Sequence, residues 1–473
     1  MINTLYLPEL REMLATGDAD GLREFCQALH PARVAEFMEG LDAGEAWRVL
    51  EASPQEQRVA VFGFLAEDVQ VGILESVDPA DTSQLVADMP ADDRVDLLSE
   101  VSQDVAGQVL PLLPHADRRE TMRLLEFPEG TAGSKMTTEV ARLSASLTVH
   151  QALEAISRQA EDSETVYYNY VVDEDDHLLG LVSARQLVTH FGSPDKPIAD
   201  LMQRDVVCVL ATDDQEVVAD KVAEYDFLAI PVVDDHRRLL GIITHDDVLD
   251  VMREEATEDA HLGAAIDPLD DSYLVTHWAT LAWKRGVWLG VLFIAALLTA
   301  LSLRYFEAGF QLVPWLVLFV PLVISSGGNS GSQSATLVIT GLTNGDVTVG
   351  DWWRVMRREL LMGLCLGSVL AVTGYVCAYA LTRPTGAVAA PAQAEANAPA
   401  EQPAPPTAGQ LLVLPITLLM VVICGTLCGG TLPLLFERLG FDPALMSTPF
   451  VAGIIDIVGI VVYMKVALAI VGY

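Results

Sequence analysis

Apolar and polar positions along the chain fall into three regimes. Up to about residue 130, apolar residues recur at three- and four-residue spacing in short runs, cut by Asp78-Pro79, Met89-Pro90 and Leu113-Pro114 and capped by residues such as Asp42. That period belongs to amphipathic helices too short to stand alone, and it predicts an all-α superhelix of helical hairpins over 1–130. Beyond 136 the period shortens and the pattern occurs twice. Met136-Thr-Thr-Glu-Val recurs as Met202-Gln-Arg-Asp-Val, and Tyr170-Val-Val-Asp with Gly180-Leu-Val-Ser183 recurs as Pro231-Val-Val-Asp with Gly241-Ile-Ile-Thr244. Each copy reads as strand, helix, two β runs and a final helix, which predicts two α/β modules at 136–193 and 200–250. An acidic helical stretch over 251–278 connects them to the last regime, 279–473. There, five apolar stretches at about 286–304, 312–342, 360–382, 411–436 and 445–471 are each long enough to cross ~30 Å of hydrocarbon. The predicted fold is therefore a multidomain membrane protein: an α superhelix, a tandem α/β pair and an all-α domain of five transmembrane helices.

Charge sharpens this division. The 473 residues carry 65 acidic and 28 basic side chains, a net charge of -37, although 51% of the chain is hydrophobic. Residues 1–271 hold 56 acidic and 19 basic side chains, while 272–473 hold 9 of each. An acidic soluble half is joined to a neutral apolar half. This excludes a nucleic-acid binder acting through a basic face, and a wholly soluble enzyme. The six cysteines show no metal or disulfide spacing and read as small buried hydrophobes.

The first residues lack the basic, apolar and small-residue segments of a signal peptide, so the acidic half is expected in the cytosol. Lys284, Arg285, Arg354, Arg357, Arg358 and Arg438 then lie inside and Arg304 and Arg383 outside, in keeping with the positive-inside rule. Five spans send Tyr473 out, and the Ala- and Pro-rich stretch 384–409 becomes an extracytoplasmic linker.

Two features break the apolar pattern. The run Gly327-Gly328-Asn329-Ser330-Gly331-Ser332-Gln333 brings glycines and polar side chains to membrane depth, where irregular backbone is tolerated only in a protein interior or beside a wet cavity. A close helix-packing face of small residues is the alternative. Asn329 and Gln333 share one face, which packing does not require, and this favours an ion pathway. In the fifth span Asp456 is the sole charged residue between Pro443 and Met464. A mid-helix carboxylate costs about 2.5–3.5 kcal/mol on insertion scales, so it is read as a cation ligand. Ala452, Gly453 and Gly459 keep its stripe narrow enough to admit water or an ion. Lys465 is too far along to pair with it. Glu359 at the mouth of the third span either lines an entrance or pairs at an interface.

The tandem repeat resembles a pair of CBS domains, which usually bind a regulatory ligand. In such pairs a Gly-x-x-Thr-x-x-Asp motif like Gly241-Ile-Ile-Thr244-His-Asp-Asp247 often holds a nucleotide ribose, which makes Phe227, Thr244 and Asp247 candidates for ATP; the first copy has Gln186 at the acid's position. The order of motifs is similar to that of the MgtE family of magnesium channels: the acidic helical domain, the CBS pair, Tyr225-Asp226-Phe227, Glu255 to Asp259, the Gly-Gly-Asn-Ser-Gly-Ser-Gln span and the Asp456 span.

The resemblance implies a homodimer in the bacterial inner membrane, with the second and fifth spans lining a pore where the Asp456 carboxylate holds hydrated Mg²⁺. It further implies that cytosolic Mg²⁺ between carboxylates closes the pore through the connecting helix. The sensor residues so implied are Asp92, Asp93, Asp96, Asp214, Glu216, Asp226, Asp247, Asp250, Glu255, Glu258 and Asp259. Ser332 and Thr448 stand where the family pattern has Asn. An ion-coupled divalent transporter is the alternative. A membrane-anchored enzyme lacks any nucleophile and base constellation in this sequence.

Overall fold

The computed structural model describes residues 5–160, 163–269, 273–274, 276–382 and 407–472. The chain divides into two compact units, Met1–Glu255 and Ala256–Tyr473. Among the described residues the first begins with ten short helices: α1 Leu7–Thr16, α2 Ala19–Ala28, α3 Pro31–Met38, α4 Ala43–Ala52, α5 Gln55–Gly63, α6 Glu67–Ser76, α7 Pro79–Ala87, α8 Ala91–Glu100, α9 Gln103–Val109 and α10 His115–Leu124. The prolines that punctuate the sequence start helices. Pro79 occupies the first turn of α7 behind the Asp78 cap, and Pro90 and Pro114 directly precede α8 and α10. Asp42 and Glu45 form a full capping box at α4. From α2 onward the helices pack on those two places away, α2 on α4 on α6 on α8 and α3 on α5 on α7 on α9, which makes a two-layered superhelix. Fully buried Leu10, Val34, Leu50, Phe62 and Ile73 fill the space between the layers.

The repeat follows as β1 Val140–Ser144, α11 Val149–Gln159, β2 Thr165–Val172, β3 Leu178–Ser183 and α12 Ala184–Thr189, then β4 Val209–Leu210, α13 Gln215–Tyr225, β5 Ala229–Val233, β6 Leu239–Thr244 and α14 His245–Gly263. Each copy builds a three-stranded sheet, parallel in its first pair and antiparallel in its second. The copies exchange backbone bonds reciprocally, Leu181 with Gln203 and Thr137 with Ile242. This explains the repeated glycines. A Cβ on Gly180 would stand 2.8 Å from the Gln203 carbonyl, and one on Gly241 would meet the Thr137 carbonyl. Helix α14 starts at His245 and runs unbroken to Gly263, so the connector begins inside the stretch assigned to the second repeat.

The second unit contains α15 Trp278–Tyr305, α16 Glu307–Leu312, α17 Val320–Thr343, α18 Trp352–Leu381, α19 Val413–Arg438 and α20 Thr448–Val471. Among the described residues, four segments are long and apolar enough to cross a membrane: Trp278–Tyr305, Val349–Leu381, Gln410–Arg438 and Thr448–Val471. The 24-residue α17 matches them in length but not in apolarity, because of its Gly, Ser, Asn and Gln content, and it packs against both α19 and α20. The single apolar stretch at 312–342 divides in the structure. Short α16 and a 3₁₀ turn over Pro314–Phe319 precede α17, since Pro314 cannot continue a helix from upstream. The expected interruption at Gly327–Gln333 is absent, and α17 passes through it as regular helix. The Ala- and Pro-rich stretch lies almost wholly outside the described residues, as do Arg383 and Tyr473.

Candidate functional site

Helix α17 has two different faces. Gly327, Ser330, Gly331, Ser334, Ala335 and Val338 are buried, whereas Asn329, Gln333 and Thr336 are exposed. On the buried side α17 meets α19 backbone to backbone. A Cβ on Gly425 would lie 2.6 Å from the Gly327 carbonyl oxygen, and one on Gly429 would run into that of Gly331. On the open side, α17 and α20 border a groove of about 660 Å³ lined by Ser332, Gln333, Thr336, Thr448, Pro449 and Ala452 among others.

Both readings of the glycine-rich run thus have a face of their own. Asp456, half-buried one turn beyond Ala452, has its Oδ1 3.5 Å from where a Gly328 Cβ would stand, so the missing side chain leaves the carboxylate room. It forms no ion pair among the described residues. Asn329 Nδ2 donates to Ser325 Oγ at 3.3 Å. The two positions that depart from the family pattern are bonded to each other: Ser332 Oγ donates to the Thr448 carbonyl at 3.0 Å. Thr448 Oγ1 in turn donates to the Gly263 carbonyl at 3.3 Å, and Thr343 Oγ1 to Asp259 Oδ2 at 3.3 Å, so the last turn of α14 is tied to α17 and α20. Glu258 lies on that same part of α14.

A second constellation lies within the first unit, where α8 meets the repeat. Asp92 is buried, and its Oδ1 has no hydrogen-bond partner. Burial, and then the charges of Asp247, Asp93 and Glu164, push its carboxyl well above the usual range. Asp93 is raised to about 6 by partial burial and by Asp247, Asp96 and Asp246. Glu164 is raised to about 7 by burial and by Glu139, Asp247, Asp246 and Asp93. Asp247 is raised by burial, against the pull of Thr244, whose Oγ1 donates to it at 2.5 Å. These acids come from three separate stretches of chain, and they repel one another.

Beside them Lys135 reaches Asp96 at 3.3 Å and Glu254 at 3.7 Å. Burial works against its charge, but Asp96, Glu254 and Glu67 hold its pKa above the ordinary value. Among the described residues, no three His, Cys, Asp or Glu side chains converge closely enough to grip a metal directly. The orphaned Asp92 oxygen and the mutual repulsion suit a cation that keeps its water shell, as Mg²⁺ does.

The remaining sensor candidates are dispersed. Asp214 caps α13 through the Glu216 amide at 2.9 Å, and neighbouring Gln215 donates to Glu255 at 2.6 Å. Asp226 closes the far end of α13 in a left-handed conformation, φ 54°. Asp250 pairs with Arg253 at 2.8 Å. Sequence reading missed Glu164, Glu139, Glu67 and Lys135, because only the docking of α8 on the repeat brings them to the acids. The lone basic residue between Arg123 and Arg142, Lys135, was the one available signal.

A cleft of about 360 Å³ between the two repeats is lined by Tyr168, Tyr170, Ser183, Gln186, Phe227 and Pro231 among others. The Tyr170 hydroxyl is buried without a partner. Phe227 stacks on Tyr225 with ring centroids 5.3 Å apart. Gln186 is fully engaged in capping α12: its Oε1 accepts from Ser183 and its Nε2 donates to the Leu201 carbonyl. Thr244 and Asp247 lie outside this cleft and bond to each other.

Comparison with known proteins follows the same divisions. Residues 320–466 match the family described as MgtE, divalent cation transporter; 29–130 match the MgtE intracellular N domain; and 132–193 and 198–254 match the CBS domain. A magnesium transporter MgtE of Thermus thermophilus is 34% identical over 464 residues, 97% of each chain. One of Bacillus subtilis is 28% identical over 459 residues, 97% of this chain and 95% of the other. A solved cytosolic domain of the Mg²⁺ channel MgtE in complex with ATP is 35% identical, covering 51% of this chain and 98% of that one, with a TM-score of 0.49.

Proposed function

We propose, since this chain belongs to the MgtE family of divalent cation transporters, that it carries Mg²⁺ inward across the bacterial cytoplasmic membrane as a homodimer, through a pathway centred on Asp456. The observation that carries this reading is the half-open groove between α17 and α20, with Gln333 and Ala452 in its wall, Asn329 exposed one turn away on α17 and Asp456 one turn beyond Ala452. One chain supplies one wall. A copy related by a twofold axis supplies the other and sets two Asp456 carboxylates face to face, where a divalent cation relieves their repulsion. Asp456 then attracts the ion, while Asn329 and Gln333 hydrogen-bond its water shell. The acidic first unit faces the cytosol, and the membrane half ends on the outer side.

The regulatory half of the proposal assigns a closing role to cytosolic Mg²⁺. The carboxylates of Asp92, Asp93, Asp96 and Asp247, joined by Glu164, form an interface that is costly while they are ionised and uncompensated. Asp214, Glu216, Asp226, Asp250, Glu255, Glu258 and Asp259 extend the negative field along α13 and α14. Cation binding shifts the equilibrium towards the closed arrangement by its differential affinity for it, and α14 transmits the change. The CBS cleft, with its free Tyr170 hydroxyl beside Phe227, is a binding site for an aromatic ligand such as adenine in ATP. Gln186 is already committed and leaves the ribose without an acidic partner. The test is Mg²⁺ influx into proteoliposomes: the account expects uptake by the wild type and none by folded, dimeric Asp456→Ala. Undiminished uptake by that variant refutes the pathway.

A further inference from the structure

Glu359 is a carboxyl group with no part in the groove. It lies in α18 about 10 Å from the start of that helix at ~1.5 Å per residue, and it is 9% exposed. Three helices meet at it. Ser334 Oγ on α17 donates to its Oε2 at 2.6 Å, and Thr426 Oγ1 on α19 donates to its backbone carbonyl at 3.0 Å. Gly430 on α19 makes space for it, as a Cβ there would lie 2.7 Å from Glu359 Cγ. No Lys or Arg pairs with it among the described residues. Among the described residues it lies outside the groove lining and has no ion-pair partner.

The face of α17 that reaches Glu359 is the one that meets α19 through Gly327, Gly331, Gly425 and Gly429. Glycine contacts bring backbones close but offer no side chains to interlock, so they resist separation better than rotation. A hydrogen bond to a carboxyl group is directional and supplies the missing constraint. Ser334 adjoins Gln333 and lies two residues from Ser332, both in the groove wall. With side chains about 5 Å from the helix axis, a rotation of ~20° moves the groove-lining groups by ~2 Å. That is enough to spoil the spacing a hydrated ion requires.

The geometry therefore assigns Glu359, acting through Ser334, as a positioning residue that fixes the rotation of α17 and hence the divalent-ion selectivity of the groove. This rests on the reading of the groove as the Mg²⁺ pathway. The test uses the full chain in proteoliposomes and measures KM and maximal rate for Mg²⁺, discrimination against Ca²⁺, and melting temperature. Ser334→Ala and Glu359→Ala are expected to raise KM for Mg²⁺ and to lower the Mg²⁺/Ca²⁺ ratio, each roughly tenfold, the worth of one hydrogen bond at the upper end of its range.

The double variant should be no worse than either single change, since both remove the same bond. Glu359→Gln retains an acceptor for Ser334 and should behave as wild type. Wild-type KM and discrimination in Ser334→Ala, or a Glu359→Gln as impaired as Glu359→Ala, would overturn the assignment. Ser334→Ala removes one oxygen only, so the test stands even where Glu359→Ala fails to fold. Asp456→Ala run alongside separates the two readings. Flux surviving that change refutes the pathway itself, while lost flux with an unaltered Ser334→Ala refutes only the positioning role.

Discussion

Raising the pH from 5 to 8 without divalent cations should loosen the contact between α8 and the CBS pair, and Mg²⁺ should restore it. The acids there have raised pKa values in the folded arrangement: Asp93 about 6 against 3.8, Glu164 about 7 against 4.5, and Asp92 and Asp247 in the same direction. A carboxyl whose folded pKa is raised contributes stability below its unfolded value and loses it as pH rises through the folded one. The loss therefore falls between about pH 4 and pH 8. Asp93 and Glu164 are exposed enough for solvent to screen much of the effect, which leaves on the order of 1 kcal/mol each. Their sum, on the order of 2 kcal/mol, is matched by a cation present at roughly thirty times its dissociation constant. The assay is hydrogen exchange of the α8 and α14 amides in the full-length protein at pH 5.5 and 8, with Mg²⁺ or with KCl at matched ionic strength. Protection should fall at pH 8 and return with Mg²⁺ saturably. Equal protection at both pH values, or equal recovery in KCl, would refute the reasoning, because screening acts on any set of charges.

Three further outcomes follow from particular contacts. Lys135→Met leaves Asp96, Glu254 and Glu67 without their counter-charge, so the cation-free protein should show less α8 protection than wild type and a larger Mg²⁺-induced gain, read in the same exchange experiment. Gly429→Ala forces its Cβ against the Gly331 carbonyl of α17, a backbone that cannot yield, and should lower the melting temperature in detergent by the equivalent of about 1–3 kcal/mol. Phe227→Ala should weaken ATP binding to the CBS cleft at least several-fold by titration calorimetry, while Thr244→Val, which lies outside the cleft, leaves it unchanged.

The sequence made some parts of this protein legible because they depend on local order. Helical period and proline-marked starts foretell the superhelix, and the duplicated Gly180 and Gly241 mark the reciprocal contact of the CBS pair. Asn329, Gln333 and Asp456 stand out because polar groups are costly in hydrocarbon. Other parts depend on which surfaces meet, and periodicity does not encode that. The Gly327 to Gln333 run reads as either pathway or packing until α19 is seen to cover one face and leave the other open. Glu164 and Lys135 are unremarkable until α8 docks beside them. Glu359 is ambiguous until Ser334 and Gly430, distant in the chain, define its pocket. The split of 312–342 was hidden because apolar content reports burial and does not distinguish one helix from a helix, a turn and a second helix.

Single-channel recording of the purified protein in a planar bilayer, with Mg²⁺ as the charge carrier, tests the central claim most directly. The account predicts unitary Mg²⁺ currents that need no other ion gradient, that cease as Mg²⁺ rises on the side bearing the acidic unit, and that are absent in Asp456→Ala. Mg²⁺ flux without unitary currents and dependent on a second ion's gradient, or currents persisting in Asp456→Ala, would contradict it.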